Sequence, residues 1–330
     1  MTLLFTGAPG WLASALLPHL TAEGSGIREI RLLVHPDSKP PDLSSIGTNA
    51  PSVSIVRARL EDPASLVEAV HGCSHVFHAA ALLHPRRIKD LYRVNSEGTR
   101  SLAEAAAKAG VVRFVLVSSN AAAGRSHSAD ILLDESMPAC PESHYGRSKL
   151  LAEKALFEQT SMRTIALRPC MFYGPPVPKR HIEIYQRICK GFMPIVGGGG
   201  HARSVTHIDN LVQASQLALF HPDAKGVYYI ADEQQYTTRK IVQAMADALG
   251  AKPRFVYLPA AIAQVAWCMD MMLSSIGLYW QNLHLLGEAD WHVGVSSARA
   301  QSELGYVPNR SLAEGMQQAI QWYRHHHNLP

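Results

Sequence analysis

The sequence predicts an α/β fold, a Rossmann-type doubly wound parallel sheet with a smaller, mostly helical lobe. Three observations carry this. Short apolar runs alternate with helical patterns of period 3.6 through the first half of the chain. A Gly7-x-x-Gly10 turn stands directly after the first apolar run. Tyr145 and Lys149 lie four residues apart, which places both on one face of one helix.

The expected strands are Leu3–Thr6, Ile30–Val34, Val53–Arg57, His75–His78, Phe114–Val117 and Ile165–Leu167. The helices between them are Trp11–Glu23, Pro63–Val70 and Leu91–Ala109. This βαβ alternation implies parallel strands joined by right-handed crossovers. Past residue 170 the pattern loosens: Tyr173-Gly-Pro-Pro-Val-Pro178 and Val196-Gly-Gly-Gly-Gly200 punctuate it, and Val227–Ala231 reads as a strand returning to the sheet. The expected division is a dinucleotide-binding Rossmann domain over 1–170, joined by 205–231, and a substrate-binding lobe built from 171–204 and 232–330. The site then lies in the cleft between them.

With 330 residues, 47% hydrophobic and 18% charged, the chain has material for a large core. A net charge of +4 with no Lys/Arg run or aromatic platform argues against nucleic acid. Cys73, Cys140, Cys170, Cys189 and Cys268 are odd in number, widely spaced and without a C-x-x-C, which suits reduced thiols in a cytoplasmic protein. His325-His326-His327 near the C-terminus has no carboxylate or cysteine beside it, and no metal is expected. The N-terminus runs straight into the glycine turn, leaving no room for a signal core. Residues 257 to 269 are the greasiest stretch, but Gln264 and Asp270 break it well short of a membrane span.

The Tyr145/Lys149 pair has a chemical meaning. A free tyrosine keeps its proton to about pH 10 and relays protons poorly at neutrality. A cation about 5 Å away, at an effective dielectric near 20, favours phenolate by roughly 3 kcal/mol, or about two pKa units. Upstream, Arg113-Phe-Val-Leu-Val-Ser118-Ser119 reads as a buried strand ending in hydroxyls at the sheet edge where ligands bind. Gly7 and Gly10 allow backbone N–H groups and the following helix N-terminus to approach a pyrophosphate. Together these features read as a redox enzyme. By itself a Y-x-x-x-K on a helix is usually surface packing with a solvated lysine; the strand-end serines and glycine loop tip the reading.

Over nearly its full length the chain resembles the extended short-chain dehydrogenase/reductases. The resemblance rests on Thr6-Gly7-x-x-Gly10-x-x-Ala13, His78-Ala-Ala-Ala81, Val94-Asn95-x-x-Gly98-Thr99, Ser118-Ser119, Tyr145-x-x-x-Lys149 and Leu167-Arg168-Pro169-x-x-x-Tyr173-Gly174-Pro175. Later stretches, His207-Ile-Asp209-Asn210-Leu-Val and Glu303-Leu-Gly-Tyr306-x-Pro308-x-x-Ser311-Leu, are most similar to the 3β-hydroxysteroid dehydrogenase-like branch.

The resemblance implies that Tyr145 is the general acid/base, Lys149 lowers its pKa and binds the nicotinamide ribose, and Ser119 orients the substrate carbonyl, with Ser118 the lesser candidate. It implies a cofactor site drawn from Thr6, Gly7, Pro9, Gly10, Trp11, Leu12, His35, Arg59, Leu60, Ala79, Ala80, Ala81, Asn95, Ser118, Tyr145, Lys149, Pro169, Cys170 and Met171. Asn95 can equally cap its helix or bridge backbone. Ala13 replaces the usual third glycine, and Arg59 stands where the family often has an adenine-contacting Asp. His35 follows the second strand in place of Asp or Arg, with Asp37 and Lys39 nearby; the lack of a carboxylate at the immediate strand end, and a phosphate that Arg59, His35 and Lys39 could all meet, favour NADP over NAD.

Ser119 is followed by Asn120-Ala-Ala-Ala123, without the Asp-Glu that dehydratases of this type use, so elimination is disfavoured. The preferred reaction is reversible hydride transfer between nicotinamide and a ketone or secondary alcohol. An apolar steroid-, terpenoid- or polyketide-like substrate is suggested by Trp267, Met269, Met271, Met272, Leu273, Trp280 and Leu285, although such a stripe is also what plain core or a dimer face shows. The alternatives are a nucleotide-sugar epimerase or 4-ketoreductase, with Arg203 meeting a diphosphate, and a non-catalytic nucleotide-sensing protein on the same fold. A homodimer and peripheral membrane contact through 257–286 stay open.

Overall fold

The computed structural model describes residues 1–44, 46–47 and 49–326. In the first half, β1 (Thr2–Thr6), α1 (Trp11–Leu20), β2 (Glu29–Val34), β3 (Ser52–Arg57), α2 (Pro63–Val70), β4 (His75–His78), α3 (Ile88–Leu91), α4 (Gly98–Lys108), β5 (Arg113–Val117), α5 (His144–Phe157) and β6 (Arg163–Pro169) follow in order. A π-helical segment, Tyr92–Glu97, joins α3 to α4. The second half adds β7 (Met171–Tyr173), α6 (Lys179–Cys189), β8 (Phe192–Val196), β9 (Ala202–Arg203), β10 (Val205–His207), α7 (Ile208–Phe220) and β11 (Gly226–Ile230). It ends with β12 (Tyr236–Thr237), α8 (Thr238–Leu249), β13 (Arg254–Leu258), α9 (Ala261–Ser275), α10 (Gln281–Gly287), α11 (Ala298–Leu304) and α12 (Leu312–His326).

Seven strands form one parallel sheet in the order β11-β6-β5-β4-β1-β2-β3. The chain winds outward from β1 through β2 and β3, then returns to place β4 on the other side of β1. Ligands of such sheets bind at this reversal, outside the carboxyl ends of the strands. The expected doubly wound sheet is therefore present, with β11 at its edge. The helix expected over Trp11–Glu23 stops at Leu20, and that over Leu91–Ala109 begins earlier, at Ile88, and contains the π turn.

Central β1 is buried along its whole length, as a strand covered on both faces must be. One face packs Leu12, Leu16 and Leu20 of α1 and Leu211 and Val212 of α7; the other packs Leu66 of α2, Leu102 of α4 and Leu156 of α5. A separate core gathers Tyr173, Tyr185, Val205, Ile241, Met245, Met316 and Ile320 from α6, α8, α12 and the short ladders between them.

The apolar stretch after residue 257 departs from expectation. It is strand β13 followed by α9, and α9 buries Ala263, Ala266, Asp270 and Ser274 while Val265, Met269 and Met272 point outward, Met272 71% exposed. Trp280 and Leu285 are exposed as well, so most of the supposed pocket stripe faces away from the protein. A Cβ at Gly287 of α10 would come within 3.0 Å of the Trp267 backbone, so α10 lies close against α9 there. Among the described residues no helix is long and apolar enough to cross a membrane. No group of three or more His, Cys, Asp or Glu among them is placed to hold a metal; His325 and His326 end α12, and His327 lies outside the described residues.

Candidate active site

The site is built on the carboxyl ends of β1, β4 and β5. Gly7 has φ +97°, and a Cβ there would sit 2.7 Å from the Ala79 backbone, so only glycine lets the turn after β1 lie against the chain leaving β4. Thr6 fixes this junction: its hydroxyl meets His78 Nδ1 at 2.7 Å and accepts from the Ala80 N–H at 3.2 Å. His78 Nε2 reaches Thr99 Oγ1 at 3.0 Å, and Thr99 donates to the Asn95 carbonyl at 2.6 Å. Burial, aided by the Lys149 cation, pushes His78 down to about 3, so it ties loop to helix as a neutral ring.

Gly10 is the N-cap of α1 and provides no side-chain cap, which leaves first-turn N–H groups open toward the crevice. Pro9 and Gly10 are exposed, Trp11 and Ala79 to Ala81 half-buried, and Leu12 buried. An uncapped helix start beside small residues at a sheet reversal fits a dinucleotide pyrophosphate. Across the crevice Pro169 and Cys170 are buried, Cys170 donating its N–H to Thr206 Oγ1 at 3.2 Å, while Met171 is half-exposed.

Ser119, Tyr145 and Lys149 come together. Ser119 caps the short turn Asn120–Ala122 and hydrogen-bonds the Tyr145 phenol. Tyr145 sits in the first turn of α5, whose N-cap Ser143 accepts from Gly146 N–H at 3.1 Å. A Cβ at Gly146 would collide with the Ala121 backbone oxygen, so glycine lets α5 press against the turn that carries Ser119. Gly146→Ala should therefore separate Ser119 from Tyr145 and lower kcat/KM by about tenfold or more, because misplacement by 1 Å costs on the order of 100-fold. Steady-state kinetics beside a circular dichroism melt will show whether activity falls in a folded protein.

The electrostatics differ from expectation. Burial pushes Tyr145 up to about 12, opposed by the Ser119 hydrogen bond and by the guanidinium of Arg180. Lys149, 1% exposed, turns its ammonium to the Val117 carbonyl at 2.7 Å, and burial lowers it to about 8 with Glu153 opposing. Arg180, at the start of α6, is a further cation facing the phenol, one that the spacing did not suggest. Arg180 also lies 5.7 Å over the Trp11 ring, so it spans the crevice from the glycine loop toward Tyr145. Nothing in the sequence marked it beyond a basic pair after a proline-rich turn.

Three predicted cofactor contacts are committed elsewhere. Asn95 accepts from Leu82 N–H at 2.8 Å and donates to the Leu82 carbonyl and Ser148 Oγ, which makes it a brace between backbone and α5. Ser118 donates to Glu153, itself clamped by Arg168 at 2.9 and 2.6 Å. Leu60 is buried against Gly98, where a Cβ would come within 2.7 Å of its own. At the ends of β2 and β3, Arg59 holds His35 Nε2 at 2.9 Å and the Asp37 carboxylate at 2.9 Å, so the cations expected there share their place with an acid. Arg203 gives its guanidinium to the carbonyls of Glu288 and Ala289 at 2.6 and 3.3 Å, a tie between β9 and the end of α10.

Comparison with known proteins matches residues 3–231 to the NAD dependent epimerase/dehydratase family. A UDP-glucose 4-epimerase of Vibrio cholerae is 30% identical over 74% of this chain and 75% of its own. A 2-alkyl-3-oxoalkanoate reductase of Stenotrophomonas maltophilia is 28% identical over 96% and 97%. The solved structure of MoeE5 in complex with UDP-glucuronic acid and NAD superposes with a TM-score of 0.77 at 25% identity, covering 99% of this chain and all of that one.

Proposed function

The chain belongs to the NAD dependent epimerase/dehydratase family, of the extended short-chain dehydrogenase/reductase type, and from that premise we propose that it is a carbonyl reductase working reversibly between a ketone and a secondary alcohol. The observation that carries this is the Ser119 hydroxyl acting on the Tyr145 phenol at the sheet's carboxyl edge, followed by Asn120-Ala-Ala-Ala123 with no carboxylate for elimination. A bound nicotinamide supplies or accepts the hydride at its C4. Thr6, Gly7, Gly10, Trp11 and Ala79 to Ala81 would hold its diphosphate and adenosine side, and Lys149 and Pro169 to Met171 its nicotinamide side. Tyr145 donates the proton to the nascent alkoxide, and Ser119 steadies the carbonyl oxygen as charge builds on it. In this reading the substrate-binding lobe is 171–204 with 232–330, and the sheet domain is 1–170 with 205–231.

The cofactor reading keeps NADP ahead, since no carboxylate stands at the immediate end of β2 and Arg59, His35 and Lys39 could meet a phosphate there, with Asp37 competing for Arg59. A panel of apolar ketones followed through nicotinamide absorbance, with NADPH and NADH in parallel, tests both statements. Turnover of ketones with kcat/KM higher for NADPH is expected; a strong NADH preference reverses the cofactor choice. Turnover of UDP- or dTDP-sugars instead would establish the epimerase or 4-ketoreductase reading that the Vibrio cholerae relative favours. Against that reading stands Arg203, whose guanidinium is tied to backbone carbonyls rather than free for a diphosphate.

A further inference from the structure

The buried face of α9 carries a carboxylate that the reaction above does not use. Asp270 is 3% exposed; its Oδ2 pairs with His284 Nδ1 at 2.8 Å, while its Oδ1 is buried with no partner. His284 is held from its other side by Glu288, Nε2 to Oε1 at 3.3 Å. Burial works against charge on His284, but the hydrogen bonds of Asp270 and Glu288 outweigh it and push the ring up to about 9, so an imidazolium already matches Asp270 at neutral pH. An unmade hydrogen bond at a buried carboxylate oxygen costs more than most surface contacts gain. Such an atom needs a donor.

Space for one exists. Asp270 lines a small, partly open cavity together with Tyr145, Ser274, His284, Trp267 and Met271, and the cavity offers about 10 Å³, enough for about one oxygen-sized group. Its wall thus includes both Tyr145, the proposed proton donor, and Asp270. Ile88, Trp267 and Met271 give it apolar walls, and Ser143, His144 and Tyr279 add polar ones. His284 is shared between Asp270 and Glu288 and meets only Oδ2 of Asp270, so the donor for Oδ1 has to come from elsewhere.

We propose that Asp270 is a specificity-determining residue whose Oδ1 accepts a hydrogen bond from a neutral hydroxyl carried by the substrate in addition to its reacting carbonyl. This rests on the carbonyl reductase reading and narrows it: the substrate is an apolar ketone with a second hydroxyl, not a plain hydrocarbon ketone. A site that hydrogen-bonds a substrate hydroxyl discriminates strongly against the analogue lacking it, because its own polar group is then left unpaired.

The test uses alkyl ketones bearing a hydroxyl at successive positions along the chain, each beside its deoxy parent. Binding to the full-length protein is measured by titration calorimetry, and kcat/KM in parallel. The expected result is that one hydroxyl position binds at least tenfold more tightly than its parent, and that Asp270→Asn reduces this ratio to within about threefold. Ser274→Val, which fills the cavity while leaving the Asp270–His284 pair intact, should reduce the ratio likewise, and it serves if Asp270→Asn does not fold. Equal binding of every pair, or a preference that survives both variants, overturns the proposal and leaves the oxygen to a bound water. Because binding is read without turnover, a panel that binds with the expected preference but is not reduced would count against the reductase reading alone.

Discussion

Tyr145→Phe is expected to lower kcat for ketone reduction by about 100- to 10,000-fold, the range that a positioned general acid contributes. The substitution keeps the ring and its packing and removes only the hydroxyl that Ser119 contacts. Since burial holds the phenol near 12, it carries its proton across the accessible pH range and acts as the donor in the reduction direction. The loss should therefore appear in kcat at every pH below that, with cofactor affinity, read by fluorescence titration, changed by less than about threefold. Arg180 offers the companion experiment: its guanidinium favours phenolate, so Arg180→Leu should raise the phenol further and slow alcohol oxidation, which needs the base, more than ketone reduction. Retention of most activity by Tyr145→Phe would remove the phenol from the chemistry and support a non-catalytic nucleotide-sensing protein.

Much of this architecture was legible in local pattern. The strands from β1 to β6 announce themselves as short apolar runs, and Gly7 and Gly10 mark a turn because only a residue without a side chain fits against Ala79. Tyr145 and Lys149 follow from helical spacing, which fixes a shared face but not where each side chain ends. That is why the shared face could be read and the rest could not: Lys149 reaches the Val117 carbonyl, and a guanidinium from α6, far along the chain, also faces the phenol. The same limit applies to α9. Its composition reads as core, yet α9 buries Ala263, Ala266, Asp270 and Ser274 and leaves Met269 and Met272 exposed. Asp270, which in the sequence only interrupts an apolar run, becomes a buried acceptor. Asp37 and Arg59 are 22 residues apart, and the adjacency of β2 and β3 brings them into an ion pair.

Glu153 is the residue whose replacement should cost the most stability, although as a glutamate four positions after Lys149 it reads as an ordinary solvated helix charge. It is 2% exposed, accepts from Ser118, and is gripped through both oxygens by Arg168, which also donates to the Tyr229 hydroxyl at 3.1 Å. Removing one partner of a buried pair strands the other, so Glu153→Gln should destabilise the protein by about 3–5 kcal/mol in urea unfolding. The double variant Glu153→Leu with Arg168→Leu should recover much of that loss, because the penalty comes from the orphaned guanidinium and not from the net worth of the pair. Catalysis supplies a separate readout. Burial lowers Lys149 to about 8, and Glu153 holds it from falling further, so losing that negative charge moves the Lys149 titration to lower pH. If the ammonium is the working form, kcat/KM declines as pH rises through the lysine's pKa, near 8 in the native protein and at lower pH in Glu153→Gln. A variant that loses stability while its alkaline limb stays in place would confine Glu153 to holding β5, β6 and α5 together, with no hand in setting the charge of Lys149.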